Sequence, residues 1–242
     1  MSFLARKTGC LVCGGDIVYL DAPEELVCTS CGRRQRTTVR CSAGHFVCDD
    51  CHRLPAEDFI ERACLATRIT DPLELAVTLM RHPEVRMHGP EHHFLVPAVL
   101  LATYSLATGE GDLLGDRLGK ARVRAGQVKG GFCGFLGDCG AAVGTGIFLA
   151  VITGATPLSG AEWRLSNLMT SRSLHDIALA GGPRCCKRNT ALAILAAVSF
   201  VGEEMGVTIP VREGYRCEFS DLNRECRRME CPFYPKEAGS RE

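Results

Sequence analysis

Two Cys-x-x-Cys pairs, Cys10/Cys13 and Cys28/Cys31, stand fourteen residues apart near the start of the chain. A stretch that short cannot bury enough apolar surface to fold alone, so something else must hold it. Four thiolates around one tetrahedral Zn²⁺ would do so, and the glycines after Cys13 and Cys31 suit tight metal-binding turns. The pattern predicts a zinc ribbon. The segment IVYLDAPEELVC is expected to form two short strands with a turn at Asp21-Ala22-Pro23. A second group follows in CSAGHFVCDDC, where Cys41, His45, Cys48 and Cys51 suit a second zinc and His52 is an alternative nitrogen ligand. These eight main ligands read as structural.

The chain has 15 cysteines in 242 residues. The opening MSFLARKTGC has no apolar run of the kind a secretory leader carries. A cytoplasmic, reducing setting is therefore expected, with thiols serving metals and not disulfides. The most apolar stretch, Ala141 to Ala155, is too short and too glycine-rich to span a bilayer, so no membrane is expected. Lys and Arg total 28 against 28 Asp and Glu, a balance that gives no general attraction to nucleic acid. Arg33, Arg34, Arg36 and Arg40 lie on the candidate hairpin without interleaved aromatics, and read as a solvated face.

Beyond the zinc-binding module, residues 1–53, residues 54–210 read as mainly α, a helical bundle-like domain, and residues 211–242 as a Cys-rich tail packed on it. Helices are expected at 55–68, from Asp71-Pro72 (Asp71 as N-cap), and at 95–106, 113–126, 140–153, 159–169 and 189–205. Cys139 and Cys186 would each open a helix, where unpaired N–H groups and the helix dipole stabilise thiolates. Lys187 and Arg188 are candidates to hold an anion. His88, His92 and His93 lie within six residues, and His92 and His93 are candidate metal ligands or proton carriers. In the tail, Cys217, Cys226 and Cys231 form a set of three that needs a fourth partner. Cys64, Cys133 or Cys185 would serve, for zinc or for a cluster.

Four short pieces in order carry a resemblance: Val96-Pro97-Ala98-Val99-Leu100-Leu101, Cys139-Gly140-Ala141-Ala142-Val143-Gly144, Gly154-Ala155-Thr156-Pro157 and Cys186-Lys187-Arg188-Asn189. Over residues 86–205 the chain resembles the catalytic α domain of iron–sulfur L-serine dehydratases and the related L-cysteine desulfidases. The resemblance implies an all-helical domain with a [4Fe–4S] cluster on three cysteines, its fourth iron open to a small anionic substrate such as an amino acid, a thiol or sulfide. Cys139 and Cys186 fall on two of the family's ligand positions. The third falls on His175-Asp176, with Cys133 or Cys185 as substitutes. The expectation is an iron–sulfur enzyme of sulfur or amino-acid metabolism, or an electron-transfer or sensor module or zinc adaptor on the same scaffold. Assembly into a homo-oligomer is left open.

Overall fold

The computed structural model describes residues 10, 12–13, 15–48, 51 and 56–235. His52 and the chain beyond 235 lie outside these residues. The described chain is mainly α, with one two-stranded antiparallel sheet at its start.

β1 (Ile17–Val27) pairs with β2 (Arg34–Cys41) from Ile17↔Cys41 to Val27↔Arg34. The expected turn at Asp21-Ala22-Pro23 is absent. Those residues sit in an irregularity between Tyr19 and Glu24, and both halves of β1 pair with the same partner strand. Proline cannot donate to the ladder, so Pro23 suits a bulge within a continuing strand. The hairpin closes instead through Cys28–Arg33, where Gly32 takes a positive φ of 72° and Cys28 N–H reaches the Arg33 carbonyl. Arg34 and Arg40 pair with Glu25 and Glu24, in keeping with a solvated face.

The helices are α1 (Ala56–Ala66), α2 (Pro72–Met80), α3 (Glu91–Thr108), α4 (Leu114–Ala125), α5 (Phe132–Phe135), α6 (Gly140–Ile152), α7 (Ala161–Leu179) and α8 (Cys186–Met205). α3 is the axis of the domain: it packs against α1, α2, α4, α6 and α8, and is wholly buried from Phe94 to Ala102. An apolar helix with no polar face belongs at the centre of a bundle. Asp71 caps α2 as expected, with Oδ1 accepting from Leu73 and Glu74 N–H.

α6 lies between α3 and α7, and small residues set how closely. A Cβ on Gly144 would fall 2.8 Å from Pro97 Cδ, and one on Gly146 would fall 2.0 Å from Thr170 Oγ1. α7 runs to Leu179, ten residues beyond its expected end at Met169. Its second half is polar, and only Ser173 and Ile177 there are fully buried. Ser173 Oγ meets Thr145 Oγ1 at 3.0 Å, so hydroxyls rather than apolar bulk seat this half on α6.

α8 ends at Gly206, where φ is 67°, and the chain then folds back over the helices, with no further α-helix or strand among the described residues. Polar contacts along its length anchor this segment. Arg212 N–H donates to Asp71 Oδ2 at 2.8 Å, Arg81 makes a bidentate pair with Glu218 at 2.8 and 2.9 Å, and His88 Nε2 meets Asn223 Oδ1 at 3.1 Å.

Candidate metal centres

The amino-terminal ligands form two tetrads, but not in sequence order. Cys10, Cys13, Cys41 and His45 gather in one, and Cys28, Cys31, Cys48 and Cys51 in the other, the ligand atoms of each lying within 4.8 Å of one another. The expected ribbon pairing of Cys10/Cys13 with Cys28/Cys31 is therefore corrected to a crossed arrangement. Strand register is the cause. Cys13 leads into β1, whose first residue pairs with Cys41, and Cys28 leaves β1 at its far end. A strand advances about 3.3 Å per residue, so one continuous β1 carries the two pairs apart.

Both tetrads suit a tetrahedral metal of the zinc type. Cys13 and Cys41 sulfurs are 3.4 Å apart, and those of Cys31 and Cys48 3.8 Å. Metal–sulfur bonds of about 2.3 Å imply such a separation. Backbone amides face the sulfurs: Ala43 N–H donates to Cys41 Sγ and Cys48 N–H to Cys28 Sγ, each at 3.3 Å. The Ala43 amide is the chief cause that lowers the Cys41 thiol to about 6. His45 Nδ1 is buried and makes no hydrogen bond among the described residues, which fits a nitrogen kept for a metal.

A different set of thiols surrounds the start of α8. Cys185 is the N-cap, its sulfur accepting from Arg188 N–H at 3.5 Å, and Cys186 is the first helical residue. Cys185 lines a cleft together with Cys217, Cys226 and Cys231 of the returning tail, and Met87, Tyr215 and Phe219 supply apolar wall. Cys217 and Cys226 also accept backbone N–H groups, from Phe219 and Arg228, both at 3.4 Å. Of the three expected candidates to complete the tail's set, this cleft takes Cys185. Cys64 is fully buried within α1, and Cys133 sits half-buried in α5 against the core.

Two cations lie beneath the tail. Lys187 is 3% exposed and Arg188 4%. Lys187 Nζ donates to the Met80 and Val85 carbonyls at 2.6 and 3.1 Å and faces the Phe219 ring at 4.4 Å. Arg188 donates to the Gly181 and Pro183 carbonyls and to Asn189 Oδ1. Both side chains, expected to hold an anion, are engaged here by fixed groups of the fold. Glu91, itself buried, lies within electrostatic reach of Lys187. Arg188 has no carboxylate hydrogen-bond partner among the described residues and lines the adjoining cleft, where an anionic group would compensate it.

The histidines divide. His92 is 1% exposed, its Nε2–H donating to the Arg86 carbonyl and its Nδ1 accepting from the Thr190 hydroxyl, each at 3.0 Å. With both nitrogens engaged it braces α3 against α8, which corrects its expected role as a proton carrier. Burial is the chief cause that lowers it to about 3. His93 instead donates Nδ1–H to the Val128 carbonyl at 2.8 Å. Its ring lies where a Cβ on Gly140 would fall, 2.5 Å from Nε2, so this glycine admits the imidazole beside Cys139. Cys139 is the N-cap of α6, and its sulfur accepts from Asn189 Nδ2 at 3.4 Å. Cys186 shares its electrostatic surroundings with Cys139, and burial pushes its thiol up to about 11. His175 is exposed on α7.

The buried neutral His92 makes stability sensitive to acid. The unfolded imidazole takes up a proton near its ordinary 6.5, whereas the folded one resists until about 3. Its contribution is therefore complete above about pH 6.5 and is lost as pH falls toward 3. By pH 4.5 the loss is roughly 2–3 kcal/mol at about 1.4 kcal/mol per pKa unit. In urea unfolding between pH 7 and 4.5, His92→Gln should show a smaller fall in midpoint than the parent. An equal fall would contradict the assignment.

The family comparison matches residues 60–234 to the model described as "Family of unknown function (DUF5714)". The chain belongs to this DUF5714 family. No curated protein and no solved structure gives a match. The DUF5714 region begins inside α1 and ends three residues after Cys231. It therefore contains Cys139, Cys186 and all four cleft thiols, and it excludes both amino-terminal tetrads.

Proposed function

We propose that the protein is an iron–sulfur protein that carries single electrons or senses redox state. Cys185, Cys217, Cys226 and Cys231 hold a [4Fe–4S] cluster, and the amino-terminal module holds two structural zinc ions. One observation carries the reading: four thiols from two distant segments line one cleft, with the buried Arg188 in the same wall. A four-iron cube takes one thiolate at each iron. Lys187 and Arg188 supply buried positive charge to an anionic cluster. With four thiolates every iron has its protein ligand, which suits electron transfer or sensing more than substrate binding.

A second reading keeps the lyase or desulfidase chemistry implied by the resemblance, on a small amino acid, thiol or sulfide. Cys139 at the tip of α6, with Asn189 and the His93 ring nearby, favours it. There Cys139 and Cys186 would hold the cluster, and an open iron would supply a Lewis acid. His93 remains placed to move a proton.

Full-length protein purified without oxygen tests both. A brown protein that gains a paramagnetic signal on reduction, and releases neither pyruvate from serine nor sulfide from cysteine, supports the first reading. Release that disappears in Cys139→Ser supports the second. A colourless protein containing only zinc contradicts both and leaves a zinc-stapled adaptor.

A further inference from the structure

We infer that the metal–thiolate centre is the clasp that fastens residues 207–235 to the helical domain, so that losing the cluster releases this segment. The inference rests on the cluster reading above and adds regulation to the same site. Three of the four thiols belong to the segment, and the fourth, Cys185, belongs to the α8 N-terminus beneath it. Closing a metal across those two elements fixes the segment at three points between residues 217 and 231.

The other holds on the segment are single contacts, among them Arg212 N–H to Asp71 Oδ2, His88 to Asn223 and Arg227 to the Ala180 carbonyl. Its regular structure is limited to the 3-10 turns Ser220–Leu222 and Arg228–Glu230. Its buried apolar anchors are Ile209, Phe219 and Phe233, few for a stretch that must order this much backbone. The Arg81–Glu218 and His88–Glu225 pairs lie at or near the surface, where ion pairs contribute little. Arg228 takes a positive φ of 50°, uncommon for a side chain of its size, and that turn aims its N–H at Cys226 Sγ. Strain of this kind persists when the surroundings over-determine it, as ligation of Cys226 would.

The chemistry of release is simple. A one-electron oxidant takes an electron from the cluster, the oxidised cube comes apart into iron and sulfide, and the four thiolates take up protons. Without the clasp, the segment lifts from Lys187 and Arg188 and uncovers two cations at the tip of α8. Arg212, Arg216, Arg224 and Arg228 are exposed along the segment and offer trypsin its cleavage residues once the backbone is free to bend into the protease.

Trypsin digestion of the full chain under nitrogen tests this, with visible absorbance reporting the cluster and mass spectrometry the fragments. The cluster-loaded protein should keep residues 207–235. After ferricyanide and a chelator, cleavage between 212 and 228 should rise at least tenfold, with residues 56–205 still protected. Equal resistance after confirmed cluster loss, or equal cleavage before it, overturns the clasp. Iron content separates this from failure of the cluster reading. If Cys217→Ser binds as much iron as the parent, the cluster assignment itself falls, whatever the digestion shows.

Discussion

Cys41→Ser is expected to remove one zinc ion per chain and to unfold the β1–β2 hairpin, while the helices remain. Cys41 joins Cys10, Cys13 and His45, and its neighbour in the ladder, Ile17, starts β1. Metal-held modules of this size draw roughly 10 kcal/mol or more of folding free energy from the ion, so the loss should be complete and not partial. The crossed pairing makes the prediction specific. Cys13→Ser and Cys41→Ser should empty the same site, so the double variant should lose no more zinc than either single one. Cys13→Ser with Cys28→Ser should lose both. A ribbon pairing in sequence order demands the reverse, with Cys13 and Cys28 in one site. Zinc per chain, with hydrogen exchange across residues 17–41, decides between them.

Cys185→Ser and Cys186→Ser, adjacent substitutions, are expected to behave oppositely toward iron. Cys185 faces the cleft with the three tail thiols, whereas Cys186 keeps company with Cys139. Cys185→Ser should therefore abolish the bound cluster and its absorbance, and Cys186→Ser should keep both. If the enzyme reading holds instead, Cys186→Ser is the variant that loses iron. Circular dichroism guards against misreading a folding defect, because the helical domain retains its apolar core in either variant.

Much of this was readable from the sequence, for local reasons. Asp71-Pro72 is a helix start written in adjacent residues, and the structure caps α2 there. The small-residue run after Cys139 announced close packing, and Gly144 and Gly146 supply it. What stayed hidden depended on distant partners. The zinc pairing required knowing that both halves of β1 pair with one strand, and Pro23 reads equally well as a turn or a bulge. The fourth cleft thiol depended on which helix the tail crosses. His92 and Lys187 looked reactive because Thr190 and the carbonyls of Arg86, Met80 and Val85, which satisfy them, are set beside them only by the fold. The second half of α7 was missed because hydroxyl contacts carry no apolar period.

The central claim is that Cys185, Cys217, Cys226 and Cys231 enclose a cluster and not a single metal. Iron, acid-labile sulfide and zinc per chain, measured in oxygen-free full-length protein and in Cys217→Ser, test it most directly. The parent should carry about four iron, about four sulfide and about two zinc, and the variant should lose iron and sulfide while keeping its zinc. About three zinc with no iron in the parent, falling to about two in the variant, would contradict it.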